Sequence, residues 1–241
     1  MGARPWPNAP SSSSDGIAAV LLLVLLVAVV VAGWAPYSRG DWLLENALFP
    51  PLLALLVALR FGRARVHLSG TAWVALCLFL LLHEVGAHYT YSLVPYRKWL
   101  QSLGLPASVV GRNHYDRVVH FAYGLLVARP VAEVMAARTG LAGRALLATA
   151  VAWMALGSML YELIEWTASM VFGAGLGVAY LGTQGDPWDA QEDMALALSG
   201  SLLWACLPGS GKSHPALRGD LAAQVKPAVD NNVSAHTQTR G

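Results

Sequence analysis

The sequence predicts an all-α fold, a polytopic membrane helix bundle of about six transmembrane helices. Two observations carry this. Of 241 residues, 56% are hydrophobic and only 12% are charged, whereas about a quarter of the residues in a soluble domain carry charge. The apolar residues are also gathered into blocks long enough to cross a bilayer.

Residues 1–16, rich in Pro and Ser, read as a disordered tail. The first span is 17–34, "IAAVLLLVLLVAVVVAGW", about 27 Å long as a helix. A cleaved signal peptide is the rival reading. The long, nearly uncharged tail in front of it favours a retained helix. The second span is 43–61, where Pro50 and Pro51 either kink the helix or start its regular part. The third is 70–89, the fourth about 114–134, the fifth about 142–172 and the sixth about 188–207. The transmembrane domain thus covers 17–207, and 208–241 reads as a second disordered tail.

Six spans put both termini on one side. With that side cytoplasmic, the inner loops hold Arg60, Arg63 and Arg65, then Arg129, Arg138 and Arg144, then Lys212, Arg218 and Lys226. The outer loops hold Arg39, then Arg97, Lys98 and Arg112. The positive-inside rule therefore places both termini in the cytoplasm. Arg97, Lys98, Trp99 and Trp188 read as interface anchors.

Composition excludes several functions. A net charge of +2 without a basic cluster argues against nucleic acid as a partner. Cys77 and Cys206 lie inside apolar blocks, where cysteine acts as a small hydrophobe. There is no CxxC, GxSxG, P-loop or GxGxxG.

The polar residues of the spans sort to one leaflet. His83, Glu84 and His88 end the third helix at its outer side, and His114, Asp116 and His120 begin the fourth there. Glu162 and Glu165 lie roughly 30 Å into the fifth helix, in the same half. Asp186, Asp189 and Asp193 begin the sixth. Helical phase groups them further. Glu84, His88 and Tyr91 share a face, as do Asp116, His120 and Tyr123, and Ser158, Glu162, Glu165 and Ser169 form a polar stripe. Ionisable residues in a span normally face a bundle interior or a wet cavity. The expectation is a polar pocket lined by the third to sixth helices and open to the outer leaflet.

Plain structural roles compete. Asn113 fits an N-cap with Asp116 as capping-box partner. Asp186 fits another, with Pro187 at the first helical position and Asp189 at the third. Glu162 and Glu165 have the least to gain from such a role, since a mid-helix acid pair in lipid needs a partner. "HEVGAH" is not the zincin motif, because its histidines stand about 140° apart around the helix. A divalent metal, such as Zn, Mn or Fe, would need a site assembled across helices from His88, His120, Glu162, Glu165 and Asp193. The same set suits proton relay. The glycine-rich 173–186 reads as a flexible connection, or as backbone able to meet an anionic head group at the sixth helix.

The blocks "HEVGAHYTYSLVPY", "RNHYDRVVHFAYG", "YELIEW" and "LGTQGDPWDAQEDM", spanning 83–194, resemble the YjdF-like inner-membrane proteins, a family of unknown function (DUF2238). The resemblance implies a multi-pass protein of the bacterial inner membrane and brings no activity with it. The D-x-x-x-H-F start of the fourth helix is also similar to that of VanZ-like membrane proteins.

Three functions stay in competition. The first is an intramembrane enzyme acting on a lipid or envelope precursor. Glu162 or Glu165 would be its general acid or base, with Glu84, His88, Asp116 and His120 in the catalytic set and Tyr91, Tyr123, Asp186 and Asp189 holding substrate. The second is a transporter or proton-coupled binding protein: six helices with one crowded leaflet show no clear inverted repeat around a midplane site, but twin acid-x-x-x-His motifs running in opposite directions keep the reading open. The third is a structural membrane subunit.

Overall fold

The computed structural model describes residues 12–61, 66–106, 112–172 and 186–211. The start of the N-terminal tail, most of the C-terminal tail and the glycine-rich 173–185 lie outside the described residues.

Every regular element among the described residues is helical. Helix α1, Ser12–Trp34, already begins inside the stretch read as a tail. The second segment runs from α2, Arg39–Glu45, through one 3₁₀ turn, Asn46–Leu48, into α3, Phe49–Phe61. Ser38 caps α2 by accepting from Asp41 N. Pro50 and Pro51 fall in the first turn of α3, where their missing N–H groups cost nothing.

Helix α4, Gly70–His88, is capped by Ser69, whose Oγ accepts from Ala72 N at 3.1 Å. A short α5, Tyr96–Ser102, follows. The fourth segment is α6, Tyr115–Ala122, a π turn, Tyr123–Val127, and α7, Ala128–Thr139. Pro130 explains the π turn. It offers no N–H to the Leu126 carbonyl and its ring crowds that oxygen, so the wider turn sits just before it. Gly140 ends α7 with φ 71°, a left-handed residue suited to glycine. Helix α8 is Gly143–Phe172 and α9 is Asp189–Cys206.

Five segments are long and apolar enough to cross a bilayer: Gly16–Trp34, Arg39–Leu59, Gly70–His88, Tyr115–Thr139 and Gly143–Val171. The sixth expected span, α9, has the length but carries Asp189, Glu192 and Asp193 in its first turns. Contacts between helix ends fix their directions. At one end of the bundle Ser69 donates to Glu133, Gly143 N donates to Gly211 O at 3.0 Å, and Ile17 lies beside Gly70. At the other end Tyr37 N donates to His88 O and Tyr115 Oη to Leu82 O. Arg112 and Arg117 bind Asp186 there. The start of α1 and the end of α9 therefore lie at the same end of the bundle.

The core is built from small residues at helix crossings. Ala72, Ala128, Ala150, Ala197 and Ser201 are fully buried. A Cβ on Gly124 would overlap the Ala197 carbonyl, and one on Gly200 would overlap that of Phe121. Close backbone approach of this kind is how membrane helices gain packing without a hydrophobic driving force. The opposite faces, such as Val20, Leu23, Val27 and Val30 of α1, are exposed and apolar, a surface suited to lipid.

Candidate functional site

The polar stripe of α8 points inward. Ser158, Glu162 and Glu165 are buried, while Met159, Leu160, Leu163 and Ile164 between them are exposed. The i, i+4, i+7 spacing places the three on one side of the helix, and that side faces α6 and α9. There His120 Nε2 stands 3.6 Å from Glu162 Oε1 and 3.6 Å from Asp116 Oδ1. Asp193, only 2% exposed, completes the group from α9. One ligand atom each from Asp116, His120 and Asp193 lie within 4.8 Å of one another. Asp193 Oδ1, Glu162 Oε1 and Ser158 Oγ are buried without a hydrogen-bond partner among the described residues.

A cavity of about 370 Å³ adjoins this cluster. Its walls are largely apolar, with Leu48, Leu52, Phe79, Leu80 and Ile164 among them. Asp116, His120, Tyr123, Ser158 and Tyr161 supply polar groups, and Glu45, His83 and Tyr91 also reach it. Tyr161 Oη donates to Glu45 Oε2 at 2.9 Å.

An ion-pair cluster lies beside the site, where α6 and α9 begin. Arg112 binds Asp186 at 2.8 Å and Asp189 at 2.6 Å. Arg117 binds Asp186 at 2.7 Å and also pairs with Glu192. Asp186 further accepts from Trp188 N at 3.0 Å. This bond and the Arg117 guanidinium hold its carboxyl below the usual aspartate range. Trp188, not Asp186, takes the cap position of α9, so Asp186 acts two residues earlier as an Asx turn. Asn113 is similarly displaced. His114 occupies the α6 cap, while Asn113 Oδ1 accepts from Tyr115 N and its Nδ2 donates to the Ser92 and Val94 carbonyls. His114 Nδ1 lies 3.1 Å from Arg117 Nη1. Burial, then the Arg117 and Arg112 charges, hold this imidazole below its usual range.

Two expected placements differ. Tyr91 does not continue the face of Glu84 and His88, because α4 ends at His88 and Thr90 and Tyr91 have φ of 53° and 50°. The chain reverses there, Tyr91 folds over Gly86, and its hydroxyl lies 2.6 Å from His83 Nδ1. Burial, reinforced by Glu45 and Asp116, holds this phenol well above its ordinary range, so it stays a neutral hydroxyl at the cavity wall. His88 does not join the acid cluster either. Its Nδ1 lies 2.9 Å from the Ala32 carbonyl and its ring meets Tyr89 edge-on, which makes it a contact between α1 and α4. Glu84 is buried with the side chains of Trp42 and Asn46 nearby.

Residues 17–209 match the family described as "Predicted membrane protein (DUF2238)". The chain belongs to this family. It is 35% identical over 182 residues to "Inner membrane protein YjdF" of Escherichia coli (strain K12), covering 75% of this chain and 83% of that protein. No solved structure matches. Membership of DUF2238 agrees with the helical membrane architecture and leaves the chemistry to the site itself.

Sequence reasoning does not single out Glu45, Tyr161 or Arg117. Glu45 carries a signal, as an acid inside the second apolar block, to be weighed by the same rule as Glu162. Arg117 and Glu192 carry none, because their pairing depends on how α6 lies beside α9.

Proposed function

We propose that this protein is an enzyme of the bacterial cytoplasmic membrane acting on a lipid or lipid-linked envelope precursor. The observation that carries the reading is the position of the His120 imidazole. It lies between Asp116 and Glu162, 3.6 Å from each, at the wall of a largely apolar cavity. An apolar cavity with a few convergent polar groups is the usual form of a small-molecule site, and these walls suit an acyl or prenyl chain. Its polar corner would take the head group. Glu162, whose Oε1 has no hydrogen-bond partner among the described residues, is the group placed to take and return a proton. Asp116, His120 and Asp193 set the charge around it. With both termini cytoplasmic, the site faces the outer leaflet.

The transporter reading rests on the twin acid-x-x-x-His motifs. It loses support because His88 binds the Ala32 carbonyl while His120 faces Glu162. Native mass spectrometry of the full-length protein released from detergent tests the proposal. The expected result is one lipid class retained by both wild type and His120→Ala. A stoichiometric partner protein with no retained lipid would instead mark a structural subunit.

A further inference from the structure

We propose that Asp116, His120 and Asp193 bind a divalent transition-metal ion, with Glu162 beside it. The proposal does not depend on the cavity taking lipid.

Three features point to it. The first is donor geometry. A Zn²⁺-sized ion about 2 Å from each donor holds its ligands roughly 3–4 Å apart. Asp116 and His120 already stand 3.6 Å apart, and the trio closes within 4.8 Å, within reach of small side-chain rotations. The second is unmet bonding capacity. Asp193 is 2% exposed and its Oδ1 has no hydrogen-bond partner among the described residues, and Glu162 Oε1, 3.6 Å from His120 Nε2, has none either. Buried polar atoms are nearly always satisfied, and a bound ion is one standard reason for an exception. The third is charge. Asp116, Asp193 and Glu162 gather three carboxyl groups around one imidazole. The nearby guanidiniums of Arg112 and Arg117 are engaged by Asp186, Asp189 and Glu192.

The donor set selects the ion. One imidazole nitrogen with carboxylate oxygens suits Zn²⁺, Mn²⁺ or Fe²⁺ rather than the all-oxygen shells of Ca²⁺ and Mg²⁺. Three protein ligands leave a position open, as catalytic sites do. Asp116 and His120 also line the cavity, and Glu162 Oε1 stands 3.6 Å from His120 Nε2, so Glu162 would be the base beside a bound ion.

The test uses untagged, full-length protein purified in detergent from cells grown with Zn²⁺, Mn²⁺ and Fe²⁺. Elemental analysis should find about one transition-metal ion per chain. After chelation, Co²⁺ should restore a visible ligand-field band. Asp193→Asn and His120→Ala should lose both signals while eluting as folded protein, and His88→Ala should keep them. Should either variant fail to fold, Asp116→Asn serves in its place. Wild type with neither an ion nor a Co²⁺ band overturns the proposal. Undiminished loading in the folded Asp193→Asn and His120→Ala variants overturns it equally.

Discussion

Arg117 Nη2 lies 2.7 Å from Asp186 Oδ2 and joins the first turn of α6 to the chain that enters α9. Arg112 shares the same carboxylate oxygen, so a pair of cations sets the register of two helices that both carry site residues. Asp116 and His120 follow on α6, and Asp193 on α9. These ion pairs thus help to place the cluster that follows them on α6 and α9.

Replacing Arg117 with Gln should lower stability by roughly 2 kcal/mol, the scale of a hydrogen bond to a charged group. Thermal denaturation in detergent checks this. The Asp186 contribution should depend on pH in a defined direction. Its folded carboxyl titrates below the ordinary aspartate value, chiefly through the Trp188 N–H and then Arg117. Its stabilisation is therefore present above that value and is lost as pH falls through the lower, folded one. The Tm difference between wild type and Asp186→Asn should persist at neutral pH and vanish only below the ordinary aspartate range. A difference that grows on acidification would contradict this.

Gly124→Ala should be among the most damaging single-methyl changes in the chain. The added Cβ meets the Ala197 carbonyl and Ser201 N, which are backbone and cannot rotate away. Overpacking costs about 1–3 kcal/mol where side chains can yield, and here they cannot. Gel filtration should show aggregated or absent protein. By contrast Gly16→Ala meets no atom within 4 Å and should be neutral.

Asp116→Asn and His120→Ala should insert and fold normally yet abolish the wild-type phenotype. His114→Ala should be mild, because its side chain meets Arg117 and not the cluster. In-gel folding assays beside lipid profiles of the host measure both effects. Equal damage from His114→Ala would show that helical phase does not define the site.

Much of this site is legible in the sequence because helices write their faces as spacing. The i, i+4, i+7 pattern alone assigns Ser158, Glu162 and Glu165 to one face, and Asp116 with His120 to another. Tyr91 escapes that pattern, since the reversal at Thr90 and Tyr91 rests on two left-handed residues that no glycine announces. His88 reads as a ligand by type, and only the packing of α1 on α4 makes it a partner of Ala32. The pairing of Arg112 and Arg117 with Asp186 is likewise a product of tertiary contact.

Topology gives a separate check. Reporter fusions after Gln101 and Gly177 should read as outside, and those after Arg65, Thr139 and Pro215 as inside. Intact mass of the purified chain should include residues 1–34, because Ala18 and Leu25 of α1 belong to the buried core with Leu76 and Cys77 of α4. A periplasmic signal after Pro215 would refute the orientation.

If the cluster around His120 acts on a lipid, turnover must depend on His120 and Glu162. The direct measurement is mass spectrometry of an envelope lipid extract incubated with proteoliposomes of wild type, His120→Ala or Glu162→Gln. With wild type alone, one lipid species should be consumed and a product formed. Identical lipid spectra for all three proteins, each folded and correctly inserted, would rule the activity out.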